Sequence, residues 1–207
     1  MDFYYTVSVF IIELKRMSPY KRSYQGQDFH TISLFGIDWQ LPLVKINQDT
    51  YIASDARLVL GSTEFIQQAA TELATMINEN KIDYIVTPEA KALPLTQAMA
   101  YQLGVDYAVA RKSVKDYMID PLVRSVDSIT TGVEQELVFN GPVADDLNSS
   151  RVCIVDDVVS TGGTMEAIES LLTDIDAEII SKAAIFQEGR NHADIKTIDT
   201  LPLFICE

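Results

Sequence analysis

The chain has 207 residues, 47% of them apolar and 22% charged, so it can build a core and does not have the composition of a disordered segment. A formal net charge of −14 argues against nucleic acid or an anionic membrane as the main partner, because both select basic surfaces. Apolar runs all fall short of the roughly 18 residues that a membrane-spanning helix requires.

At the amino terminus, Phe3 to Leu14 (FYYTVSVFIIEL) is the longest apolar stretch, interrupted by Thr6 and Ser8. It lacks the basic start and small-residue cleavage site of a signal peptide. Two readings stay open for residues 1–28: an edge strand, or an extension outside the fold with Met17 as the start of translation. From Phe29 to Ile46, short apolar stretches alternate with Gly36, Pro42 and polar residues, which predicts strands and turns. Ser62 is the expected N-cap of a helix whose apolar stripe runs through Phe65, Ile66, Ala69, Ala70, Leu73, Met76 and Ile77. Ile82–Thr87 predicts a strand, Pro94–Leu103 a helix and Val105–Ala110 a further strand. Helix, strand, helix, strand is the pattern of a parallel sheet covered by helices.

Between Lys112 and Val152 the pattern changes. Val123–Thr131 and Glu134–Phe139 predict a hairpin turning at Thr131-Gly132, an excursion of the kind that is usually functional or mobile. Four apolar residues, Val152 to Val155, then predict a strand buried on both faces, with Asp156 and Asp157 at its carboxyl end. A helix over Met165–Leu172 and a strand over Ala177–Phe186 follow. Cys153 sits in an apolar strand and Cys206 near the carboxyl terminus. Neither has metal-ligand spacing, and two cysteines make no disulfide framework, so a reduced cytoplasmic setting is expected.

The chemistry concentrates in Arg151–Ile168, RVCIVDDVVSTGGTMEAI. Ligands of an open parallel sheet bind beyond the carboxyl ends of its strands. There, a small-residue turn entering a helix aims backbone N–H groups at the crevice and favours a phosphate dianion. Ser160, Thr161 and Thr164 add hydroxyl donors, while Gly162 and Gly163 let the backbone approach closely. The carboxylates of Asp156 and Asp157 would repel that phosphate, so they need a partner with donors, such as a ribose diol, or a metal such as Mg2+. A response-regulator phosphoacceptor pocket would leave the Thr-Gly-Gly-Thr turn unexplained. The spacing of an NTPase phosphate loop and the G-x-G-x-x-G fingerprint are both missing.

The run VCIVDDVVSTGGT resembles the thirteen-residue phosphoribosyl-pyrophosphate signature of the type I phosphoribosyltransferases. Stretches from Phe29 to Phe186, among them YIASDARLVLGSTEFIQQAATELA and EAKALPLTQAMAYQLGVDYAVARKSVKDYM, are similar to bacterial adenine phosphoribosyltransferase-like proteins. The resemblance implies an α/β fold: an open, mostly parallel, doubly wound sheet carrying a hairpin hood. One domain is expected over 29–207, with a flexible hairpin inserted at about 112–140. The implied activity is Mg2+-dependent transfer of the 5-phosphoribosyl group from phosphoribosyl pyrophosphate to a purine base in purine salvage, by a homodimer that binds neither nucleic acid nor membrane. Asp156 and Asp157 would hold the ribose hydroxyls and the metal, and Ser160 through Thr164 the 5′-phosphate. Glu89-Ala90-Lys91-Ala92 is similar to the short pyrophosphate loop, with Ala92 where glycine is usual. Arg111 and Lys112 would contact pyrophosphate, and Lys115 would join the catalytic set with the two aspartates.

Relatives acting on hypoxanthine and guanine commonly carry Asp before the Thr-Gly of this loop, and adenine-specific ones a small residue. Ser160 therefore leans toward adenine; xanthine or pyrimidine as the base, and a regulator that senses phosphoribosyl pyrophosphate without turnover, are the alternatives. Tyr117, Met118, Phe35 and Trp39 are candidates for stacking on the base. His30 and His192 match no motif and are read as surface or loop residues.

Overall fold

The computed structural model describes residues 19–77, 81–126 and 135–206. The amino-terminal stretch Phe3–Leu14 and the expected hairpin turn at Thr131-Gly132 lie outside them. Packing divides the chain into two compact units. One takes the chain up to Asp55 together with Glu188–Asn191 and the segment from Thr200 onward, and the other takes Ala56–Gln187 and His192–Asp199.

The first unit is built on a five-stranded sheet. Its strands are β1 (Lys21–Ser23), β2 (Phe29–Leu34), β3 (Ile37–Lys45), β4 (Thr50–Ala53) and, from the far end of the chain, β12 (Leu203–Ile205), in the order β1-β12-β4-β3-β2. β2 and β3 form an antiparallel hairpin that turns at Phe35-Gly36, where both residues have positive φ. Trp39 donates its indole N–H to the Leu34 carbonyl across that turn at 3.3 Å.

The second unit holds the parallel sheet. In chain order come α1 (Ala56–Gly61), α2 (Thr63–Ile77), β5 (Tyr84–Pro88), α3 (Leu93–Leu103), β6 (Asp106–Ala110), β7 (Leu122–Val126), β8 (Gln135–Phe139), α4 (Gly141–Leu147), β9 (Arg151–Val159), α5 (Gly163–Thr173), β10 (Glu178–Glu188) and β11 (Lys196–Leu201). The sheet order is β11-β10-β9-β5-β6, and the β10–β9, β9–β5 and β5–β6 pairings are parallel. β7 and β8 pair antiparallel from Leu122↔Phe139 to Val126↔Gln135, which realises the expected hairpin.

Local chemistry sets the helix ends. Ser62 caps α2 as expected, its Oγ accepting the Phe65 N–H at 3.3 Å. Pro94 occupies the first turn of α3, where a missing N–H costs nothing, and Gly104 ends that helix at φ +69°, a conformation glycine adopts freely. Side chains of a strand alternate between faces. Val152 and Ile154 of β9 share a core with Met165, Ile168 and Leu171 of α5. Cys153 and Val155, equally buried, point to the opposite face of the sheet, where α3 packs on β5 and β9. The unit is thus doubly wound.

One expectation is corrected here: β9 does not stop before the acid pair but runs on to Val159, so Asp156 and Asp157 are interior strand residues. Continued pairing to β10, from Asp156↔Ala184 to Val159↔Gln187, keeps the strand extended. Phe65 of α2 stacks on Phe186 of β10 with centroids 6.3 Å apart, and both rings are buried. Phe65→Ala is expected to lower the unfolding free energy by about 3–5 kcal/mol in urea denaturation, the usual cost of an emptied aromatic site. A loss below about 1 kcal/mol would show that the core does not depend on this stack.

Candidate active site

Two loops leave the carboxyl edge of the parallel sheet, one after β5 and one after β9. Between these strands pairing covers only Tyr84↔Val152, Ile85↔Cys153 and Val86↔Ile154, whereas β9 and β10 stay paired to Val159↔Gln187. β5 therefore parts from β9 just before the acids, and the sheet splits beside Asp156 and Asp157. An ion pair bridges the split. Lys91 Nζ lies 2.8 Å from Asp157 Oδ2, joining residues 66 apart in sequence. The carboxylate is nearly buried, with 7% of its side chain exposed, while the ammonium is half exposed at 49%.

Alternation along β9 sends the two acids to different neighbours. Asp157, on the face of Cys153 and Val155, meets Lys91 just ahead of α3. Asp156, on the face of Val152 and Ile154, lines a concavity of about 130 Å³ with residues 158–165. Asp156 is buried, and its Oδ1 accepts the Asp157 backbone N–H at 2.8 Å. Burial first, and then the neighbouring Asp157 carboxylate, pushes the Asp156 carboxyl well above the usual carboxylate range.

The concavity is closed by the turn Ser160–Gly162 and the start of α5. Gly162 is the N-cap at φ +94°, a backbone conformation that β-carbon-bearing residues resist, and no side chain caps the helix. Gly163 is already the first helical residue, so only one of the two glycines is required by its φ. Thr161 Oγ1 accepts from the Gly163 N–H only at 3.5 Å, while Thr164 stands in the first helical turn. The leading N–H groups of a helix have no intrahelical acceptor, and here they border an open concavity.

On the other side, the Glu89–Ala90 peptide bond is cis. Ala92 is buried at φ −80°, ψ −4°, an ordinary right-handed conformation, so alanine in the place of the family's glycine imposes no backbone conflict. Glu89 organises the basic run. Its Oε2 accepts from Arg111 Nε at 3.0 Å and from the Lys112 backbone N–H at 3.1 Å. These bonds, Arg111's first, hold the Glu89 carboxyl below its usual range. Arg111 Nη1 also donates to the Tyr117 hydroxyl at 2.7 Å. Tyr117, a candidate for base stacking, thus serves as a guanidinium partner here. Met118 takes the Lys115 N–H on its sulfur at 3.4 Å, and Lys115 Nζ donates to Ser113 Oγ at 2.6 Å. A larger cavity of about 300 Å³ runs along β6, lined in part by Tyr107, Arg111, Tyr117 and Asn140. It includes neither the acid pair nor the Ser160–Thr164 turn, so the chemistry is assigned to the smaller concavity.

His192, expected from the sequence to be a surface or loop residue, lies in the loop after β10. Its Nε2 lies 2.8 Å from the Ser160 carbonyl oxygen. The cysteines are free thiols; burial pushes the Cys153 thiol up to about 12, which leaves it unreactive at neutral pH. Among the described residues no helix is long and apolar enough to cross a membrane.

Residues 60–205 match the phosphoribosyl transferase domain family. The hypoxanthine/guanine phosphoribosyltransferase of Methanococcus voltae is 31% identical over 159 residues, covering 76% of this chain and 81% of that protein. The adenine phosphoribosyltransferase of a Thermotoga species is 29% identical over 140 residues, covering 68% and 79%. Among solved structures, the adenine phosphoribosyltransferase of Thermoanaerobacter pseudethanolicus superimposes with a TM-score of 0.62 at 24% identity, covering 84% of this chain and 95% of that one. The α/β fold expected from the signature run is the fold observed.

The perturbed Asp156 carboxyl has a consequence for stability. In the unfolded chain it titrates in the ordinary range, and in the folded chain above it. Between the two values the folded state binds the extra proton, so stability falls as pH rises through that window. Asp156→Asn retains an acceptor for the Asp157 N–H and removes the titration. In metal-free buffer with chelator, the variant is expected to melt about 2 °C or more above wild type at pH 7.5. That advantage should vanish at pH values below the ordinary carboxylate range. Equal melting temperatures at pH 7.5 would count against a carboxyl held out of its usual range.

Proposed function

Because the chain belongs to the phosphoribosyl transferase domain family, we propose that it transfers the 5-phosphoribosyl group of phosphoribosyl pyrophosphate to a purine base, adenine foremost, releasing pyrophosphate. The observation that carries this reading is the Lys91–Asp157 bridge. It ties Lys91, in the loop after β5, to the buried acid pair of β9, whose Asp156 borders the concavity at the start of α5.

The chain's residues divide the substrate among them. The 5′-phosphate takes the concavity, accepting hydrogen bonds from the leading N–H groups of α5 and from the hydroxyls of Thr161 and Thr164. Asp157 and Asp156 accept from the ribose hydroxyls. A diol reaching Asp157 replaces the Lys91 ammonium there, which frees that cation for the pyrophosphate on the same side. Arg111, Lys112 and Lys115 supply further positive charge as negative charge builds on the leaving oxygen. A base nitrogen then forms its bond to C1′ while the C1′–O bond to pyrophosphate breaks, its electron pair leaving with the oxygen. Holding the sugar at both ends sets the line of attack. The β7–β8 hairpin, inserted between β6 and β9, is the element available to exclude water from the activated sugar.

For a divalent metal, the donor chemistry fits Mg2+. Two carboxylates offer hard oxygen ligands, and among the described residues no group of three or more His, Cys, Asp or Glu forms a closed cage. Mg2+ is commonly held by one or two carboxylates plus substrate phosphates and water. Asp156 and Asp157 would hold it, and when bound it would neutralise charge on the pyrophosphate oxygens.

Ser160 supports adenine, since the turn offers no carboxylate to exchange a proton with a 6-oxopurine. Hypoxanthine and guanine stand as the second reading, favoured by the 31% identity to the Methanococcus voltae enzyme. Incubation with Mg2+, phosphoribosyl pyrophosphate and each of adenine, hypoxanthine, guanine, xanthine, uracil and orotate tests both. Nucleotide monophosphate should form with adenine fastest, and product from none of the six would sink the proposal. Asp157→Asn should lower kcat about 100-fold, the scale of losing one electrostatic stabiliser, with the circular dichroism spectrum retained. Unchanged turnover would remove that carboxylate from the mechanism.

A further inference from the structure

The Ser160–Thr164 turn is held from outside by a residue that the reaction scheme above does not use. His192, in the loop between β10 and β11, places Nε2 2.8 Å from the Ser160 carbonyl oxygen. A carbonyl oxygen can only accept, so Nε2 carries the proton in this contact. The backbone N–H of His192 donates to Gln187 Oε1 at 3.0 Å, and Gln187 pairs in register with Val159, the last residue of β9. A closed circuit results: β9 leads into the turn, the turn is bound to His192, His192 to Gln187, and Gln187 returns to β9.

The circuit fixes more than position. In a trans peptide the C=O of one residue and the N–H of the next lie in one plane and point in opposite directions. Holding the Ser160 carbonyl at His192 turns the Thr161 N–H to the opposite side. Both residues line the concavity, and Gly162 follows in the left-handed conformation.

We infer that His192 is a positioning residue for phosphate binding: it locks the Ser160–Thr161 peptide plane so that the Thr161 N–H is presented to the phosphate of the sugar substrate. This rests on the assignment of the concavity to a 5′-phosphate. It is independent of which base is used and of the pyrophosphate loop.

Isothermal titration separates the possibilities. The full chain and its His192→Ala and His192→Gln variants are titrated with ribose 5-phosphate and, separately, with pyrophosphate and Mg2+. His192→Ala should weaken ribose 5-phosphate about tenfold, the loss expected when one hydrogen bond no longer orders a donor. Its pyrophosphate affinity should stay within about twofold of wild type, a selectivity that general loosening of the fold would not produce. His192→Gln, whose side-chain amide can donate from a similar reach, should recover to within about threefold of wild type. If His192→Ala does not fold, as read by its melting transition, His192→Asn replaces it, its amide being too short to reach Ser160. Equal ribose 5-phosphate affinity in wild type and His192→Ala, or equal weakening of both ligands, overturns the role of His192 and leaves the phosphate site intact. No ribose 5-phosphate binding by wild type overturns the phosphate assignment, and this inference with it.

Discussion

The ion pair between Lys91 and Asp157 is the contact on which the candidate site depends. A carboxylate with 7% of its side chain exposed has lost most of its hydration, and an oppositely charged partner close by offsets part of that cost. The partner comes from the neighbouring loop because β5 and β9 are adjacent and parallel, which sends both of their loops off the same edge. Remove the adjacency and neither loop has a reason to face the other. The Lys91 side chain is half exposed, whereas the carboxylate is held by its strand, so in the proposed reaction it is the ammonium that would yield to the sugar hydroxyls.

Asp156 shows what happens without such a partner. One residue earlier on the strand, it is also buried, and burial together with the neighbouring Asp157 carboxylate pushes its carboxyl well above the usual range. The strand thus sends two acids of identical chemistry to different neighbours, Asp157 to the Lys91 ammonium and Asp156 to the turn ahead of α5. Both sit in a chain of net charge −14. Positive charge is concentrated locally, and Glu89 fixes the basic run in place by binding Arg111 and the Lys112 backbone.

Much of this could be read from the sequence where the signal was local. The parallel strands, the helix capped by Ser62 and the turn around Gly162 carry their determinants within a few residues, and each is where the pattern put it. The end of β9 was misplaced because two adjacent aspartates look like a strand terminus. Only continued pairing with β10, set by residues more than twenty positions away, keeps them inside the ladder. β1 and β12 are three-residue strands whose pairing joins opposite ends of the chain, and no short window contains both partners. Tyr117 is one of four stacking candidates named on side-chain character, and the Arg111 guanidinium that its hydroxyl accepts from is visible only in space. His192 was illegible for a stricter reason. Its partner is a backbone carbonyl, which every residue possesses, so the contact leaves no side-chain signature at the other end.

The start of α5 follows from the same division between local and distant determinants. Helices usually satisfy their leading N–H groups with a Ser, Thr, Asp or Asn at the N-cap. This one has Gly162 there, left-handed and without a capping side chain. Fixed dipoles of that kind, bordering a concavity rather than a side-chain oxygen, are a standing deficit of the free protein. In the proposed reaction the sugar phosphate would supply the missing acceptor and stand where a cap residue would, its affinity drawn partly from helix stability. A serine or aspartate at the cap would satisfy the helix from within and compete with the phosphate. Under that proposal glycine leaves the acceptor role to the ligand, and so the least conspicuous residue of the turn would tie the stability of α5 to occupancy of the site.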